Sequence, residues 1–397
     1  MEQRTVIQGK IHYVGVNDRQ KHLFENMWPL PYGVSYNSYL INDEKTALVD
    51  TVDACYFDVF IAKIKGIIGD RPLDYLIINH MEPDHSGSIA LIKHYYPDVV
   101  IVGNKQTFGM IEGYYGVTGP SHLVGDKDSI DLGHHKLTFY MTPMVHWPET
   151  MMTYDETEQI LFSGDAFGCF GALNGGFLDT RINTDIYWDE MVRYYSNIVG
   201  KYGLPVQRAL QKLSGLAISA ICSTHGPVWT EEINKVIGIY DRLSRYDADD
   251  GVVIAYGSMY GHTEQMAEEI ALELSAQGIK NIVMHNVSKS PASNIIADIF
   301  KYKGLIIGSP TYNGQIYPEV DALLSKILLR EVKDRYFGYF GSFTWAGAAV
   351  KRLAEFAEKS KFEIVGEPVE MKQALINKEQ CANLAKAMAQ KITPQKK

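Results

Sequence analysis

From residue 251 to its carboxyl end, the sequence alternates regularly between short apolar segments and longer amphipathic segments. The apolar segments are "GVVIAYG", "NIVMHNV", "GLIIGSP", "RYFGYFGS" and "EIVGEPVE", and the segments between them have the apolar spacing of helices. Strict alternation of strand and helix predicts a parallel sheet with helices on both faces. We therefore expect a doubly wound, five-stranded parallel sheet in this part of the chain.

The first part of the chain has a different pattern, in which short predicted strands dominate. It contains the strand patterns "KIHYVGV", "VSYNSYLI" and "TALVDTV", with the turn "NDEK" between the last two. The polar segment "RLSRYDADDG" at 242–251 separates the two sequence patterns. Because 397 residues are too many for one ordinary hydrophobic core, we predict two domains, residues 1–248 and residues 249–397.

Charge and hydropathy argue against two classes of partner. The formal net charge is −9, and no run of Lys or Arg occurs beyond the final "QKK". This argues against nucleic acid or an anionic membrane as the main partner. No apolar stretch approaches the roughly 20 residues that span a bilayer, and "MEQRTVIQGK" lacks the apolar core of a signal peptide. We therefore expect a cytoplasmic location.

The four cysteines lie far apart in sequence and form no C-x-x-C pair. They are Cys55, Cys169, Cys222 and Cys381. Their spacing excludes a zinc knuckle or a rubredoxin-type iron site built from paired cysteines. We predict free, buried thiols in a reducing compartment.

A dense group of metal-binding residue types follows the apolar run "LDYLII". The stretch "NHMEPDHSG" contains His80, Glu82, Asp84 and His85, and the helix-like "SGSIALIKHYY" continues from its last two residues. Burying imidazole and carboxylate groups together is costly unless a positive charge compensates, and a metal ion is the strongest candidate. The sequence therefore predicts metal ligands at the end of this strand.

Three later residues occupy the same kind of position, each just past an apolar strand pattern: His146, Asp165 and His225. Any one of them alone would suggest a cap or a solvated loop residue. If the strands share a sheet, however, their ends meet the first group. Four histidines and three carboxylates are too many for one tetrahedral zinc ion but suit two metal ions that share a carboxylate. We predict Asp165 as the bridge, because it is the carboxylate outside the first group at an equivalent strand end.

A second candidate site follows the first strand of the alternating region. The loop at 258–263 joins an apolar strand to an amphipathic helix, so its amides, its hydroxyls and the helix start can bind a phosphate. It lacks both G-K-[ST] and G-x-G-x-x-G, which argues against a nucleoside triphosphate and a dinucleotide. A monophosphate such as that of flavin mononucleotide (FMN) fits, although Ser, Gly and Thr before a helix are also ordinary capping residues. The loops that begin at Ser309 and Ser342 follow strands at the same sheet edge and carry Tyr312 and Trp345, which suit a flat ring.

The metal-binding pattern as a whole resembles that of a known family. The "HMEPDH" motif at 80–85, with the three downstream residues, resembles the ligand series of the metallo-β-lactamase fold. Hydrolases of that fold usually have histidine where this chain has Glu82. With "HWP" at 146–148 and the second unit, the chain resembles the flavodiiron proteins (A-type flavoproteins) over essentially its whole length. Added negative charge stabilises a higher oxidation state, and iron accepts mixed histidine and carboxylate ligation, whereas zinc has no redox chemistry to tune.

The resemblance implies a metallo-β-lactamase-like αββα sandwich, which is an α+β fold, followed by a flavodoxin-like α/β domain. It also implies two sets of iron ligands with Asp165 between them. One set is His80, Glu82 and His146, and the other is Asp84, His85 and His225. Whether His85 binds iron directly stays open, because a crowded site could admit water in its place.

For the second domain, the resemblance implies that 258–263 hold the phosphate of FMN, while 309–313 and 342–347 border its ring. The implied FMN-binding residues are Ser258, Met259, Tyr260, Gly261, His262, Thr263, Ser309, Pro310, Thr311, Tyr312, Asn313, Ser342, Phe343, Thr344, Trp345 and Gly347.

The activity implied by this resemblance is the reduction of dioxygen to water, of nitric oxide to nitrous oxide, or of both, in protection against oxidative or nitrosative stress. Reduced flavin and two ferrous ions together hold four electrons, which accommodates either substrate. The resemblance further implies a head-to-tail homodimer or homotetramer and a rubredoxin-like or deazaflavin electron donor. Because the sequence ends at the flavodoxin-like unit, we expect an external donor.

Two other classes of function compete with this interpretation. One is a zinc hydrolase of the metallo-β-lactamase fold fused to a flavodoxin electron carrier, and Glu82 disfavours it. The other is an electron carrier whose first domain is an inert scaffold. A decayed site should have lost some of its ligands, whereas all seven metal-type positions are intact here.

Overall fold

The computed structural model describes residues 5–393, and the contacts between them divide the chain into two compact units. Unit 1 comprises the chain up to Tyr195 together with Tyr202–Ser244, and unit 2 comprises Ser196–Lys201 together with the chain from Arg245. The domain boundary at 248/249 remains our proposal.

Unit 1 is built around two mixed β-sheets. The strands of the seven-stranded sheet are, in spatial order, Val6–Gln8, Ile11–Tyr13, Tyr39–Asn42, Thr46–Val49, Tyr75–Ile77, Val100–Gly103 and Ser121–Leu123. The strands of the five-stranded sheet are Ser129–Asp131, Lys136–Met141, Met151–Asp155, Ile160–Gly164 and Ala220–Ser223. Two small antiparallel pairs complete the strands: Val16–Asp18 with Val34–Tyr36, and Leu23–Phe24 with Trp28–Pro29.

Helices connect these strands. The α-helices of unit 1 are Phe57–Ile68, Pro83–Ser86, Ile89–Tyr95, Lys105–Tyr115, Asp185–Tyr194, Gly203–Leu213 and Ile233–Ser244. Short 3₁₀ turns lie at Ala54–Tyr56 and Asp179–Arg181, and Tyr195–Val199 and Gly200–Tyr202 form π and 3₁₀ turns. The strands Thr46–Val49, Ile160–Gly164 and Ala220–Ser223 are buried at every position. Burial on both faces explains why these segments read as continuous apolar runs.

Unit 2 is a doubly wound parallel sheet. Its main strands are, in spatial order, Ile282–Asn286, Asp249–Tyr256, Tyr302–Tyr312, Tyr336–Phe343 and Glu363–Ile364. All four pairings between these neighbours are parallel. The α-helices are His262–Ala276, Ala292–Lys301, Pro318–Arg330, Ala349–Ser360 and Lys378–Ile392. This order is the flavodoxin-like one, with the second strand at the edge.

The sheet of unit 2 differs from the prediction in its last strand. The predicted strand "EIVGEPVE" is divided into Glu363–Ile364 and Val369–Lys372, and both pieces pair with Tyr336–Phe343. The interruption contains Gly366 at a φ of +67° and Pro368, which lacks an amide hydrogen to donate to the sheet. A short antiparallel strand, Gln315–Ile316, is added beside Tyr302–Tyr312.

The cysteines and the helices bear on two further expectations. All four cysteines are free; Cys169, Cys222 and Cys381 are buried, but Cys55 is exposed and departs from the predicted burial. Cys55 lies in the 3₁₀ turn Ala54–Tyr56, which has no buried residue. Between Thr5 and Thr393, no helix combines the length and the apolar character that crossing a bilayer requires.

Candidate metal centre and cofactor pocket

The candidate metal ligands lie at strand ends of both sheets of unit 1. His80 and Glu82 follow the strand Tyr75–Ile77, and Pro83 then begins the short helix that carries Asp84 and His85. The other three residues, His146, Asp165 and His225, follow three strands of the five-stranded sheet. Those three strands run in the same direction, so their carboxyl ends share one edge. All seven side chains are buried.

Asp165 lies between two groups of histidines. Its Oδ2 atom is 3.0 Å from His146 Nε2 and 3.6 Å from His80 Nε2. Its Oδ1 atom is 3.1 Å from His85 Nε2 and 3.6 Å from His225 Nε2. The two oxygens of one carboxylate therefore face different pairs of imidazoles, a placement that suits a carboxylate shared by two metal ions.

Each pair of histidines has a further carboxylate of its own. Glu82 Oε2 is 3.1 Å from His146 Nε2 and 3.7 Å from His80 Nε2. Asp84 Oδ2 is 3.3 Å from His225 Nε2, and Asp84 Oδ1 is 3.6 Å from His85 Nε2. The site thus consists of two similar halves, each with two imidazoles and one carboxylate, and Asp165 lies between them.

Several ligand atoms of this cluster are buried without a hydrogen bond. Among the described residues, His80 Nε2, His225 Nε2, both ring nitrogens of His85 and both carboxylate oxygens of Asp84 have no hydrogen-bond partner. Buried polar atoms in folded proteins nearly always have partners, and exceptions require an explanation. Ligand atoms lie within 4.8 Å of one another in two overlapping groups. The first group is His80, Glu82, His85 and Asp165, and the second is Asp84, His85 and His225. Two metal ions explain the unpartnered atoms.

The carboxylates and imidazoles shift each other's pKa values. Burial opposes a charged ring at His85, but Asp165 and Asp84 outweigh it and raise the pKa of His85 to about 10. Burial likewise opposes charge on His146, yet its hydrogen bonds with Asp165 and Glu82 raise its pKa well above the usual value. Burial also opposes ionisation of Glu82, but His146 and His80 lower the pKa of that carboxyl. Metal ions that bind here therefore displace protons from the histidines.

Three residues that the sequence reasoning missed orient the ligands. Glu149 Oε1 is 2.6 Å from His80 Nδ1 and also accepts a hydrogen bond from the Met81 amide at 2.9 Å. The carbonyl of Ser35 lies 2.7 Å from His225 Nδ1, and the Thr224 hydroxyl donates to Asp165 Oδ1. Such contacts fix the tautomer of a ligand histidine and leave its Nε2 atom free for a metal.

A buried tyrosine lies beside the centre. The Tyr194 ring is 5.6 Å from that of His225, and its hydroxyl has no hydrogen-bond partner in the part of the chain that the structure describes. Burial, and the nearby charges of Asp165 and Glu82, raise the pKa of Tyr194 well above its usual value. The hydroxyl therefore keeps its proton and can donate a hydrogen bond.

In unit 2, the three predicted loops surround one cavity of about 300 Å³. The predicted residues that line it are Met259, Tyr260, His262, Thr263, Pro310, Thr311, Ser342, Phe343 and Thr344. Thr263 Oγ1 and Ser342 Oγ are 2.9 Å apart, which joins the first loop to the third. The helix His262–Ala276 starts at this cavity and offers its free amides to an anion.

The remaining predicted residues lie on the same loops, outside the lining. They are Ser258, Gly261, Ser309, Tyr312, Asn313, Trp345 and Gly347. Ser258 and Ser309 accept backbone hydrogen bonds within their loops, and the Trp345 side chain is 87% exposed. Gln373 and Ala374 also line the cavity and were not predicted, because they follow the divided last strand, which no motif marks.

Comparison with known proteins identifies both units. Residues 34–226 match the family model "ODP family beta lactamase", and residues 254–386 match the flavodoxin model. The chain is 33% identical over 372 residues to the nitric oxide reductase of Moorella thermoacetica, with 93% of each covered. These matches confirm the predicted fold class.

Solved structures agree with these matches over nearly the full length. The rubredoxin oxygen:oxidoreductase of Desulfovibrio gigas has 30% sequence identity, a TM-score of 0.94 and 98% coverage of both chains. A variant of the flavo di-iron protein from Thermotoga maritima has 26% identity, a TM-score of 0.90 and the same coverage. Together with the two-halved metal centre, these matches show that the chain belongs to the flavodiiron protein family.

Proposed function

We propose that this protein is an oxidoreductase that reduces dioxygen to water, nitric oxide to nitrous oxide, or both. One observation carries the proposal: Asp165 directs its two oxygens to two separate histidine pairs, each of which has its own carboxylate. A single tetrahedral zinc ion would use only about half of these donors. The names of the relatives, nitric oxide reductase and oxygen oxidoreductase, support the two substrates.

We assign the ligands by half. One iron would bind to His80, Glu82 and His146, the other would bind to Asp84, His85 and His225, and Asp165 would bridge them. The donor set fits: three carboxylates and four neutral imidazoles supply hard oxygen and borderline nitrogen ligands, which suit iron. Glu82 supplies an anion where a hydrolase would have a neutral ring, so the zinc-hydrolase alternative is not favoured.

FMN fits the cavity of unit 2. The amides at the start of His262–Ala276 and the hydroxyls of Thr263 and Ser342 can accept a monophosphate without a basic side chain. When bound, reduced flavin supplies two electrons and two ferrous ions supply one each, and the metals polarise the gas. Ser258 and Thr311 hold the loops in shape through hydrogen bonds to the amides of Gly261 and Ala348.

Within the metal centre, the protein itself orients the donors and holds a proton. Glu149 and the Ser35 carbonyl keep the Nε2 atoms of His80 and His225 directed to the centre. The Tyr194 hydroxyl, which stays protonated, can donate a hydrogen bond to an oxygen atom of the substrate.

We further propose a rubredoxin-like protein as the electron donor, with deazaflavin as the alternative, and a cytoplasmic location. The name of the Desulfovibrio gigas protein supports the rubredoxin-like donor. A head-to-tail homodimer or homotetramer is also part of the proposal. Trp345 and Tyr260, each 87% exposed at the flavin loops, would lie within such an interface.

The test combines cofactor analysis with gas consumption. We expect one FMN and about two irons per chain, as a bridged pair requires, and uptake of dioxygen or nitric oxide by the chemically reduced protein. Glu82→Gln keeps the shape but removes one anion, so it should lose iron and gas uptake while retaining FMN. Asp70→Asn, at an exposed position, is the matched control and should retain iron and gas uptake. A fully iron-loaded wild type that consumes neither gas would contradict the proposal.

A further inference from the structure

A second group of metal-binding residue types lies apart from the diiron site. One ligand atom from each of His134, His135 and Glu158 lies within 4.8 Å of the other two. His134 and His135 precede the strand Lys136–Met141, and Glu158 precedes the strand Ile160–Gly164. The diiron ligands His146 and Asp165 follow these same strands, so the second group is at the opposite edge of the five-stranded sheet.

His135 is the fixed member of this group. Its side chain is fully buried, and its Nδ1 atom is 2.6 Å from Asp155 Oδ2. Its other ring nitrogen, Nε2, is buried and has no hydrogen-bond partner within residues 5–393. A histidine held by a carboxylate at one nitrogen, with the other nitrogen free, is the arrangement found in metal-binding histidines.

The other two members are held near it by their turns. The Thr157 hydroxyl donates to the His134 carbonyl at 3.0 Å, which joins the two turns. The side-chain amide of Gln8 donates to Glu158 Oε2 at 2.7 Å. His134 is exposed and Glu158 is half-buried, so both side chains can rotate. Ligands of a tetrahedral zinc ion lie about 3.4 Å apart, given metal–ligand distances of roughly 2.0–2.2 Å. Metal binding would therefore require the two outer side chains to rotate toward His135, which stays in place.

We propose that His134, His135 through Nε2, and Glu158 bind one divalent transition-metal ion of the zinc class. Two borderline imidazole nitrogens with one carboxylate oxygen favour zinc over magnesium and calcium, which prefer oxygen ligands throughout. Water completes the tetrahedron on the exposed side. The competing explanation is a buried His135–Asp155 ion pair that binds no metal.

The test adds zinc to the iron-loaded, full-length protein. Zinc and iron per chain are measured after equilibrium dialysis, and the zinc position is located by anomalous diffraction at the zinc edge. We expect one zinc per chain at this group, with both irons retained. His134→Ala and Glu158→Gln should each weaken zinc binding at least tenfold, and His122→Ala, at another exposed histidine, should leave it unchanged.

Thermal unfolding gives a second readout, because a ligand that binds the native state stabilises it. Zinc should raise the Tm of the wild type and of His122→Ala by more than it raises that of His134→Ala. Zinc binding of equal strength in the wild type and His134→Ala, or zinc found only at the diiron ligands, would overturn the proposal. Either result would mean that the His135–Asp155 ion pair alone explains this group of residues.

Discussion

Glu82 is the residue that best distinguishes this centre from a zinc hydrolase. Its Oε2 atom lies beside both His146 and His80. The hydrogen bond with His146 and the nearby His80 ring lower the pKa of Glu82, although burial opposes its ionisation. It is therefore an anion in one half of the site. In the other half, burial raises the pKa of Asp84, although the nearby His85 and His225 rings oppose this rise. Each half still offers two imidazoles and one carboxylate, a donor set that suits iron.

Substitution of Glu149 tests whether its hydrogen bond to His80 helps that histidine to bind iron. We predict that Glu149→Gln lowers iron affinity about 10- to 100-fold, because His80 loses the anion that orients its ring. Iron retained per chain after dialysis against a chelator measures the effect. The matched control is Glu156→Gln, which changes an exposed-turn carboxylate on the same sheet. Equal iron retention in both variants would show that Glu149 does not hold His80 for the metal.

Protons and iron should compete at this site. The pKa of His85 is raised to about 10 and that of His146 is raised well above its usual value, so both rings carry protons at pH 6 in the metal-free protein. Iron binding should therefore strengthen as pH rises from 6 to 8, by about tenfold per pH unit for each proton displaced. Ferrous-ion titrations at several pH values measure the slope. A flat profile would mean that no histidine loses a proton on binding.

The clustering of the seven candidate ligands was predictable because each is an unusual residue type at a strand end, and four of them lie within six positions. The role of Glu149 was not predictable, because a glutamate in a polar loop is usually solvated. Only the folded chain brings it to His80, which is 69 positions away in sequence. Tyr194 has the same explanation: in sequence it is one aromatic of an amphipathic helix, Asp185–Tyr194.

At the scale of elements, the turn after each strand decides where its ligand lies. The strand Ala220–Ser223 is followed by His225 and then by Gly226, whose φ is +81°. A Cβ atom at Gly226 would collide with Cys169 Sγ. Only glycine therefore fits this turn, and the turn holds His225 against the Ser35 carbonyl.

We predict that Gly226→Ala displaces His225 and lowers the iron content. Gly116→Ala is the matched control: Gly116 also has a positive φ, +61°, but nothing lies within 4 Å of its added Cβ. It should lose roughly 1–2 kcal/mol of stability from backbone strain alone and keep both irons. Iron analysis and thermal unfolding of both variants distinguish displacement from strain. Full iron content in Gly226→Ala would contradict the argument.

Elements were predictable to different degrees. The strands of unit 2 were visible because apolar, β-branched runs alternate with amphipathic helices, and all of these were found in parallel order. The division of the last strand at Gly366 was not visible, since "EIVGEPVE" has continuous strand character apart from one glycine and one proline. That division brings Gln373 and Ala374 to the flavin cavity.

At the scale of the whole molecule, unit 2 has a core of its own. One apolar cluster joins its central strands to the helices His262–Ala276 and Lys378–Ile392. Arg335, which is 1% exposed, donates hydrogen bonds to the carbonyls of Tyr246, Ile299 and Phe300. The Tyr246 carbonyl precedes the domain boundary that we propose at 248/249.

This contact makes the boundary testable. We predict that fragments 245–397 and 249–397 both fold and bind FMN, but that the shorter one is less stable, because Arg335 loses a buried acceptor. Loss of one such partner costs about 1–3 kcal/mol, and each kcal/mol lowers the Tm of a domain of this size by roughly 2–4 °C. Calorimetry of the two FMN-loaded fragments measures the difference. Equal Tm values would favour the boundary at 248/249, whereas failure of both to bind FMN would refute an independent second domain.

The diiron ligands belong to two different sheets: His80 to His85 extend from the seven-stranded one, and His146, Asp165 and His225 extend from the five-stranded one. Bound ions would therefore act as a cross-link between the two layers of unit 1. Damage to the metals by oxidants would then do more than stop turnover. It would also loosen the sandwich itself, because an ion that binds only the folded state stabilises that state.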